Sequence, residues 1–282
     1  MSARPVAELQ RAWAALQSGQ FRAAEPPAPG TEAPSPSSGP SAGDADWDPG
    51  HPVLPVLGAH GSAGATTLAL ALATATASPA RVVEASAIST SALVGCATAE
   101  LGGVGAGWLR GLRDRVVIDR QGEIYPGPDQ VPLPAPAPEQ VSLTVLDPGW
   151  DANQLYLRGG WLARVAWPSH GPVVVVTTPD VPGLRRAEQL LSLLAEDTEP
   201  VLAVTRANPR RWGRTIRHCM GDRTRHLCAQ HHLVGVPDDP ALALRGLDTT
   251  DLPAALVAAA THVLELTGLE TPTQHHQRGR HT

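Results

Sequence analysis

The sequence predicts a doubly wound α/β fold with a mostly parallel sheet, and three observations lead to this prediction. Short apolar runs alternate with longer amphipathic segments, which is the pattern of strands connected by crossover helices. The four valines at 173–176 show no alternation of polar and apolar residues, so we expect both faces of that strand to be buried, as in a parallel sheet. A glycine-rich turn at 58–64 joins the first predicted strand to the first predicted helix, where ligands bind in such sheets.

The region before this domain has a different composition. Residues 1–24 predict an N-terminal amphipathic helix whose apolar stripe recurs at spacings of three and four: Val6, Leu9, Trp13 and Leu16. This helix docks either on its own domain or on a protein partner. Residues 25–52 predict a disordered linker, because residues 25–50 hold seven prolines, five acidic residues and no basic one. Those five acids account for the net charge of −5, since the remaining acids balance the 22 basic residues.

The elements of the domain follow in order along residues 53–268. Strands are predicted at 53–57, 81–85, 141–146, 172–177, 201–205 and 233–236. Helices are predicted at about 64–78, 88–100, 152–166, 180–197, 208–230 and 253–267. Segments 115–119 and 123–125 predict an inserted hairpin, and the six prolines of 126–138 predict an exposed loop. Residues 269–282 lack apolar periodicity and predict a disordered tail.

The composition excludes several classes of protein. The chain has no lysine, which rules out Schiff-base chemistry, a lysine general base and the lysine of an ordinary phosphate-binding loop. Its three cysteines, Cys96, Cys219 and Cys228, are too few for a disulfide scaffold in 282 residues. No apolar segment has the length and flanks of a secretory signal or a membrane span. We therefore expect a cytoplasmic protein without a transmembrane segment.

The turn after the first strand has the layout of a phosphate-binding loop. Its glycines allow successive backbone N–H groups to converge on an anion, and the hydroxyl of Thr66 at the start of the helix can bind Mg²⁺. Two positions depart from the ordinary pattern, because Ala65 stands where the lysine is required and Ala59 where the first glycine is required. The motif alone therefore leaves a plain glycine-rich turn as an alternative.

Residues 53–268 resemble the MinD/ParA branch of P-loop ATPases in six segments that occur in the family's order. The family's loop, Lys-Gly-Gly-Val-Gly-Lys-Thr-Thr, aligns with residues 60–67 without a gap. Its aspartate pair after the second strand aligns with residues 84–86, and the strand that ends in Asp before a Pro/Gly turn aligns with 141–149. Its Thr-x-Pro-Glu, Asn-Arg and Gly-x-Ile-Pro-x-Asp segments align with 177–180, 205–206 and 233–239.

The resemblance implies two sets of site residues. Nucleotide contacts are implied for His60, Gly61, Ser62, Ala63, Gly64, Ala65, Thr66, Thr67, Thr205, Pro237 and Asp239. Ligands for Mg²⁺ are implied for Thr66 and Asp147.

The departures from the family fall on positions that carry chemistry. Both lysines are replaced, by His60 and Ala65, and the base-reading asparagine is replaced by Thr205. The carboxylate that positions the attacking water aligns with Ser86, which leaves Glu84 as the nearest carboxylate. Loss of one transition-state donor costs about 100- to 1000-fold in rate. We therefore predict no catalytic residue, weak binding of ATP with Mg²⁺, and a pseudo-ATPase.

The predicted role is that of a positioning or partner-binding factor in partitioning, septum placement, pilus assembly or conjugative DNA transfer. We expect a protein partner at the N-terminal helix and a homodimer through the face around the degenerate loop. An active but unorthodox ATPase is an alternative hypothesis.

A second alternative is a non-specific DNA-binding accessory protein. Residues 206–225 hold seven arginines and one acid, and such a patch can bind phosphate backbones. The candidate residues are Arg206, Arg210, Arg211, Arg214 and Arg217. A solvated helix face in a chain that uses only arginine is the other explanation. Histidines and cysteines crowd into 218–232, but their spacing lacks the two tight pairs of a zinc site, so no metal site is predicted there.

Overall fold

The computed structural model describes residues 46–86, 88–206, 212 and 214–269. The predicted N-terminal helix at 1–24, most of the linker and nearly all of the tail lie outside these ranges. No helix within them is long and apolar enough to cross a bilayer.

The described residues form a nine-stranded sheet with helices on both faces. The strands are β1 (Val53–Gly58), β2 (Ala80–Glu84), β3 (Ala99–Gly105), β4 (Trp108–Arg113), β5 (Val116–Gln121), β6 (Leu143–Asp147), β7 (Gly171–Thr177), β8 (Thr198–Thr205) and β9 (Leu233–Val236). The helices are α1 (Ala65–Ala75), α2 (Ala152–Arg158), α3 (Gly160–Ala166), α4 (Val181–Leu193), α5 (Arg214–Cys219), α6 (Asp222–Ala229), α7 (Pro240–Arg245) and α8 (Ala254–Thr267).

The sheet has the order β3-β4-β5-β2-β6-β1-β7-β8-β9. Strands from β5 to β9 along this order run parallel, whereas β3, β4 and β5 pair antiparallel. The predicted doubly wound, mostly parallel α/β fold is confirmed. All six predicted strands are present, with ends that move by at most three residues.

The core explains why β7 is uniformly apolar. Val174 and Val176 pack in the layer that α1 and α8 cover, whereas Val173 and Val175 pack in the layer that α3, α4 and α6 cover. All four valines have zero exposure. Because both faces of the strand meet helices, neither face can carry polar residues.

The prediction of a helix at 88–100 is wrong. The structure has a single 3₁₀ turn at Ile88–Thr90, a non-helical segment, and then strand β3. Gly95 and Gly102 have φ angles of +82° and +85°, which glycine adopts without strain and an α-helix excludes. The inserted hairpin also forms elsewhere than predicted, between β4 and β5, with Asp114 in the turn at φ +51°.

Two other predicted helices are interrupted. Residues 152–166 form α2 and α3 instead of one helix, because Gly159 and Gly160 take φ angles of +72° and +84°. The described part of 208–230 forms α5 and α6, and Gly221 precedes α6. Helix α7, which starts at Pro240, was not predicted.

The proline-rich loop at 126–138 is packed against the domain, contrary to the predicted exposure. Val131 is fully buried, and its carbonyl accepts a 2.6 Å hydrogen bond from Trp161 Nε1. Carbonyls of Ala135 and Pro136 accept from Arg81 and Arg110. Prolines lack a backbone N–H donor but keep their carbonyl acceptors, so this loop can bind buried donors without forming a strand.

Residues at the end of the predicted linker contact the described domain. The indole rings of Trp47 and Trp161 lie 5.2 Å apart, edge to face. Pro52 O accepts a 3.0 Å hydrogen bond from Thr144 N, and His51 Nε2 lies 2.7 Å from Thr144 Oγ1. The last residues of the predicted linker, 46–52, therefore pack on the sheet and on α3.

Candidate functional site

The carboxyl ends of the parallel strands meet at one edge of the sheet. Strand β1 lies between β6 and β7, and the chain leaves β1 through the glycine-rich loop at 58–64 to enter α1. This is the point where the winding of the sheet changes direction, and ligands of doubly wound sheets bind there.

Left-handed residues shape the loop. Ser62 and Gly64 have φ angles of +61° and +94°, and Ala59 N donates a 2.8 Å hydrogen bond to Val176 O. A Cβ atom at Gly64 would lie 3.0 Å from Thr205 Cγ2, so only glycine fits without displacement. Gly64 caps α1 without a side-chain acceptor, which leaves the amides of the first turn available to an anion.

A cavity of about 250 Å³ opens beside this loop, between the ends of β8 and β9 and helix α7. Seven of the implied nucleotide-binding residues line it: Ser62, Ala63, Gly64, Thr67, Thr205, Pro237 and Asp239. Most of the remaining wall is apolar and comes from side chains such as Leu68, Leu242 and Leu247. The structure thus brings together residues that are up to 177 positions apart, with a polar loop on one side and an apolar wall on the other.

The other four implied residues, His60, Gly61, Ala65 and Thr66, are not in the described lining. The His60 side chain is turned toward β7. Its Nδ1 lies 2.8 Å from Gly61 O, and its Nε2 lies 3.0 Å from Thr178 Oγ1. The Thr178 hydroxyl also hydrogen-bonds Asp180, and this contact lowers the pKa of the Asp180 carboxyl.

Thr205 forms part of the loop's support. Its hydroxyl lies 2.8 Å from Ala63 O and 3.1 Å from Thr177 O, and it donates to both carbonyls. Thr205, which aligns with the base-reading position of the MinD/ParA branch, therefore holds the loop against β7 and β8.

Asp147, at the end of β6, is 1% exposed. The hydroxyl of Thr66 and the amide of Gly149 donate to its carboxylate, but desolvation is the larger effect and raises its pKa to about 6. Its Oδ2 has no hydrogen-bond partner among the described residues. A buried carboxylate oxygen without a partner, next to a threonine hydroxyl, suits a hard cation such as Mg²⁺, so these residues fit the implied ligand set.

Glu84 is paired with Asp147 in the parallel register of β2 and β6. Desolvation, with the charge of Asp147 as the second cause, raises the pKa of Glu84 to about 7. Its carboxylate accepts from Ser91 Oγ and from Ala92 N at 2.9 Å. Ala92 lines the cavity, so Glu84 connects the carboxylate pair to the cavity wall. The sequence did not predict this role.

The position of the family's water-orienting carboxylate holds Ser86. Its hydroxyl is buried and has no partner among the described residues. The main chain at Gly149 lies against Ser86, because a Cβ at Gly149 would lie 2.3 Å from Ser86 Cβ. Trp150 Nε1 donates a 3.0 Å hydrogen bond to the neighbouring carbonyl of Ala85.

The structure describes the side chains of two of the five candidate DNA-binding arginines, Arg206 and Arg217. Arg206 lines the cavity, Arg217 is exposed on α5, and Arg214 starts α5. Arg210 and Arg211 lie outside the described residues. A signal for the position of Arg206 exists in the sequence, since the resemblance places it directly after the base-reading position. Within the described ranges, no group of three His, Cys, Asp or Glu side chains could hold a metal ion.

Comparisons with known proteins give matches of structure alone. No protein-family model and no curated protein matches the chain. The structure is similar to a chain of the MinC:MinD cell division protein complex of Aquifex aeolicus, with 15% identity, coverage of 78% of this chain and 98% of that chain, and a TM-score of 0.47.

Two further solved structures give similar values. The cell division ATPase MinD of Pyrococcus furiosus is 14% identical over 78% of this chain and 99% of that chain, with a TM-score of 0.46. A candidate plasmid partition protein of Borrelia burgdorferi B31, bound to AMPPNP, is 12% identical over 77% of this chain and 97% of that chain, with a TM-score of 0.45. The fold assignment rests on the strand order and on the loop between β1 and α1: the chain has a doubly wound, P-loop NTPase-like α/β fold and resembles the MinD/ParA branch.

Proposed function

We propose that this protein is a degenerate MinD/ParA-like P-loop protein that binds a nucleotide with Mg²⁺ and does not hydrolyse it at a useful rate. The observation that carries this proposal is the cavity beside the loop. The loop, the end of β8 and the Pro237–Asp239 segment still converge on it, although the loop has no lysine. The protein would act through partners, as a positioning factor in partitioning, septum placement, pilus assembly or conjugative DNA transfer.

Binding would use the groups that remain. The amides at the start of α1 would hold a phosphate, and Thr66 and Asp147 would hold Mg²⁺, which supplies positive charge to the phosphates. Asp147 supports this assignment because its buried Oδ2 has no partner among the described residues. The apolar wall of the cavity would receive the base.

Hydrolysis would lack its usual donors. His60 is engaged with Thr178, and Ala65 carries no charge. Glu84 accepts from Ser91 and Ala92 and has zero exposure, so it has no contact with solvent water. Because phosphoryl transfer depends on positioning and on positive charge around the phosphoryl oxygens, a site without these groups favours binding over turnover.

The partner surfaces remain proposals. We assign a protein partner to the predicted helix at 1–24 and a homodimer to the face around the loop. The DNA-binding alternative predicts salt-sensitive binding to duplex DNA, with a loss of affinity when Arg210, Arg211 and Arg214 are all replaced by alanine. Unchanged DNA affinity in that triple variant would leave the arginines as a solvated surface.

A titration with a fluorescent ATP analogue, with and without Mg²⁺, tests the proposal together with an ATP turnover assay. We expect wild-type protein to bind the analogue in a Mg²⁺-dependent way, and Asp147→Asn to lose that dependence. Asp197→Asn, which changes an exposed carboxylate, is the matched control and should bind like wild type. Turnover by wild type that Asp147→Asn abolishes would establish the active-ATPase alternative instead. Absence of binding at millimolar nucleotide with Mg²⁺ would refute the binding assignment.

A further inference from the structure

The charges around the cavity are few. Of the described residues that line it, three are charged at neutral pH: Arg206, Asp238 and Asp239. Asp239 already caps α7, since its Oδ1 accepts a 2.7 Å hydrogen bond from Leu242 N. Arg206 is the cation of this set, and it makes no ion pair with a described carboxylate.

The end of β8 fixes where Arg206 lies. The Thr205 hydroxyl ties the strand to Ala63 O at 2.8 Å, and the missing Cβ of Gly64 lets the Thr205 methyl group approach the loop. Arg206 follows directly, with φ +54°. A residue other than glycine adopts this left-handed conformation at an energetic cost, and such residues concentrate at ligand sites. The position of Arg206 at the cavity is therefore a consequence of the contacts that support the loop.

The loop itself lacks a permanent cation. Residues 58–67 contain no arginine and no lysine, and the ring of His60 is directed to Thr178. An anion at the start of α1 would meet backbone amides there and no cationic side chain from the loop. A guanidinium presents several donors in one plane and pairs well with phosphate oxygens.

We propose that Arg206 supplies the positive charge that the loop lacks, by contacting the phosphates of a nucleotide whose base occupies the cavity. This inference rests on the proposed function, because it names the residue that holds the same ligand. It moves Arg206 from the DNA-binding candidates to the nucleotide site. Arg217 is exposed on α5 and absent from the described lining of the cavity, so we assign it no contact with the nucleotide.

Binding of ATP, ADP and adenosine, each with Mg²⁺, to wild type and to Arg206→Ala tests this assignment. A charge-assisted hydrogen bond to phosphate is worth enough that its loss should weaken ATP binding about 10- to 100-fold. The loss should shrink for ADP, vanish for adenosine and decrease as salt is raised. Arg206→Lys should recover part of the ATP affinity, Arg206→Gln should not, and Arg217→Ala should bind like wild type.

The outcomes separate the two proposals. Equal ATP affinity of wild type and Arg206→Ala would overturn the role of Arg206 and leave nucleotide binding in place. An equal loss for ATP and adenosine would also overturn it, because the guanidinium would then act on the base. If wild type binds no nucleotide, both proposals are wrong. Arg206→Gln retains most of the side chain, so it gives the same comparison should the alanine variant not fold.

Discussion

Replacing Glu84 by glutamine tests the carboxylate pair at the centre of the site. Glu84 has zero exposure and lies beside Asp147 in the register of β2 and β6. Glutamine has the same shape and keeps both hydrogen bonds, because its oxygen can accept from Ala92 N and its amide group can donate to Ser91 Oγ. The substitution therefore removes the ionisation and little else.

The size and sign of the effect follow from the pKa. Burial and the charge of Asp147 raise the pKa of Glu84 from 4.5 to about 7. The folded protein therefore holds this proton more tightly than the unfolded chain, so the stabilisation is complete below pH 4.5 and is lost as the pH rises through 7. At 1.36 kcal/mol for each pKa unit, the difference between these two pKa values of Glu84 corresponds to about 3 kcal/mol of unfolding free energy. The glutamine of Glu84→Gln cannot ionise, so this variant does not lose that unfolding free energy as the pH rises.

We expect Glu84→Gln to match wild type within about 1 kcal/mol at pH 5 and to exceed it by about 2–3 kcal/mol at pH 8. Denaturant unfolding at both pH values, in EDTA, measures the difference. EDTA is needed because a cation at Asp147 would favour the ionised pair. For a domain of this size the gain at pH 8 corresponds to roughly 5–10 °C in Tm.

Glu139→Gln is the control, since Glu139 is an exposed carboxylate directly after the proline-rich loop and its replacement should leave the unfolding free energy close to that of wild type. Because the charge of Asp147 is one cause of the raised pKa of Glu84, the difference between wild type and Glu84→Gln includes the coupling between the two carboxylates as well as the desolvation of Glu84. A Glu84→Gln difference that stays constant from pH 5 to pH 8, or a less stable variant at pH 8, would refute the reasoning.

Two further substitutions test the loop at 58–64 and the buried ion pair between Arg81 and Asp119. Gly64→Ala should lose about 1–3 kcal/mol of unfolding free energy and its nucleotide binding, because a Cβ at φ +94° lies 3.0 Å from Thr205 Cγ2; Gly103→Ala on β3, where a Cβ meets no atom nearer than 4.0 Å, should behave like wild type in the same denaturant and binding experiments. Asp119→Asn should cost about 3–5 kcal/mol, because it leaves the fully buried Arg81 guanidinium without its carboxylate; a loss below 1 kcal/mol in denaturant unfolding would contradict this.

The sequence predicted the parallel strands well because their signal is local. A strand of consecutive valines such as Val173–Val176 must be buried on both faces of the sheet. The helices that cover β7 contribute apolar residues at helical spacing. The segment after β2 has no such local signal. Its conformation depends on the Glu84 carboxylate accepting from Ser91 and Ala92, which is a tertiary arrangement that apolar periodicity does not encode.

The candidate site divides in the same way. The loop residues could be predicted, since glycine and threonine spacing expresses local backbone geometry, and the resemblance supplied Thr205, Pro237 and Asp239. Sequence proximity groups Arg206 with the other arginines of 206–225. In the structure the end of β8 returns to the loop, so Arg206 lies with residues more than 140 positions away and not with a described arginine patch.

The energetic costs of the site argue for a ligand. Buried Asp147 keeps an oxygen without a described partner, and Glu84 lies next to it in register. Each feature destabilises the protein relative to an apolar or relaxed replacement. A cation at the carboxylates would relieve these costs, whereas a fold serving only as a scaffold gains nothing from them.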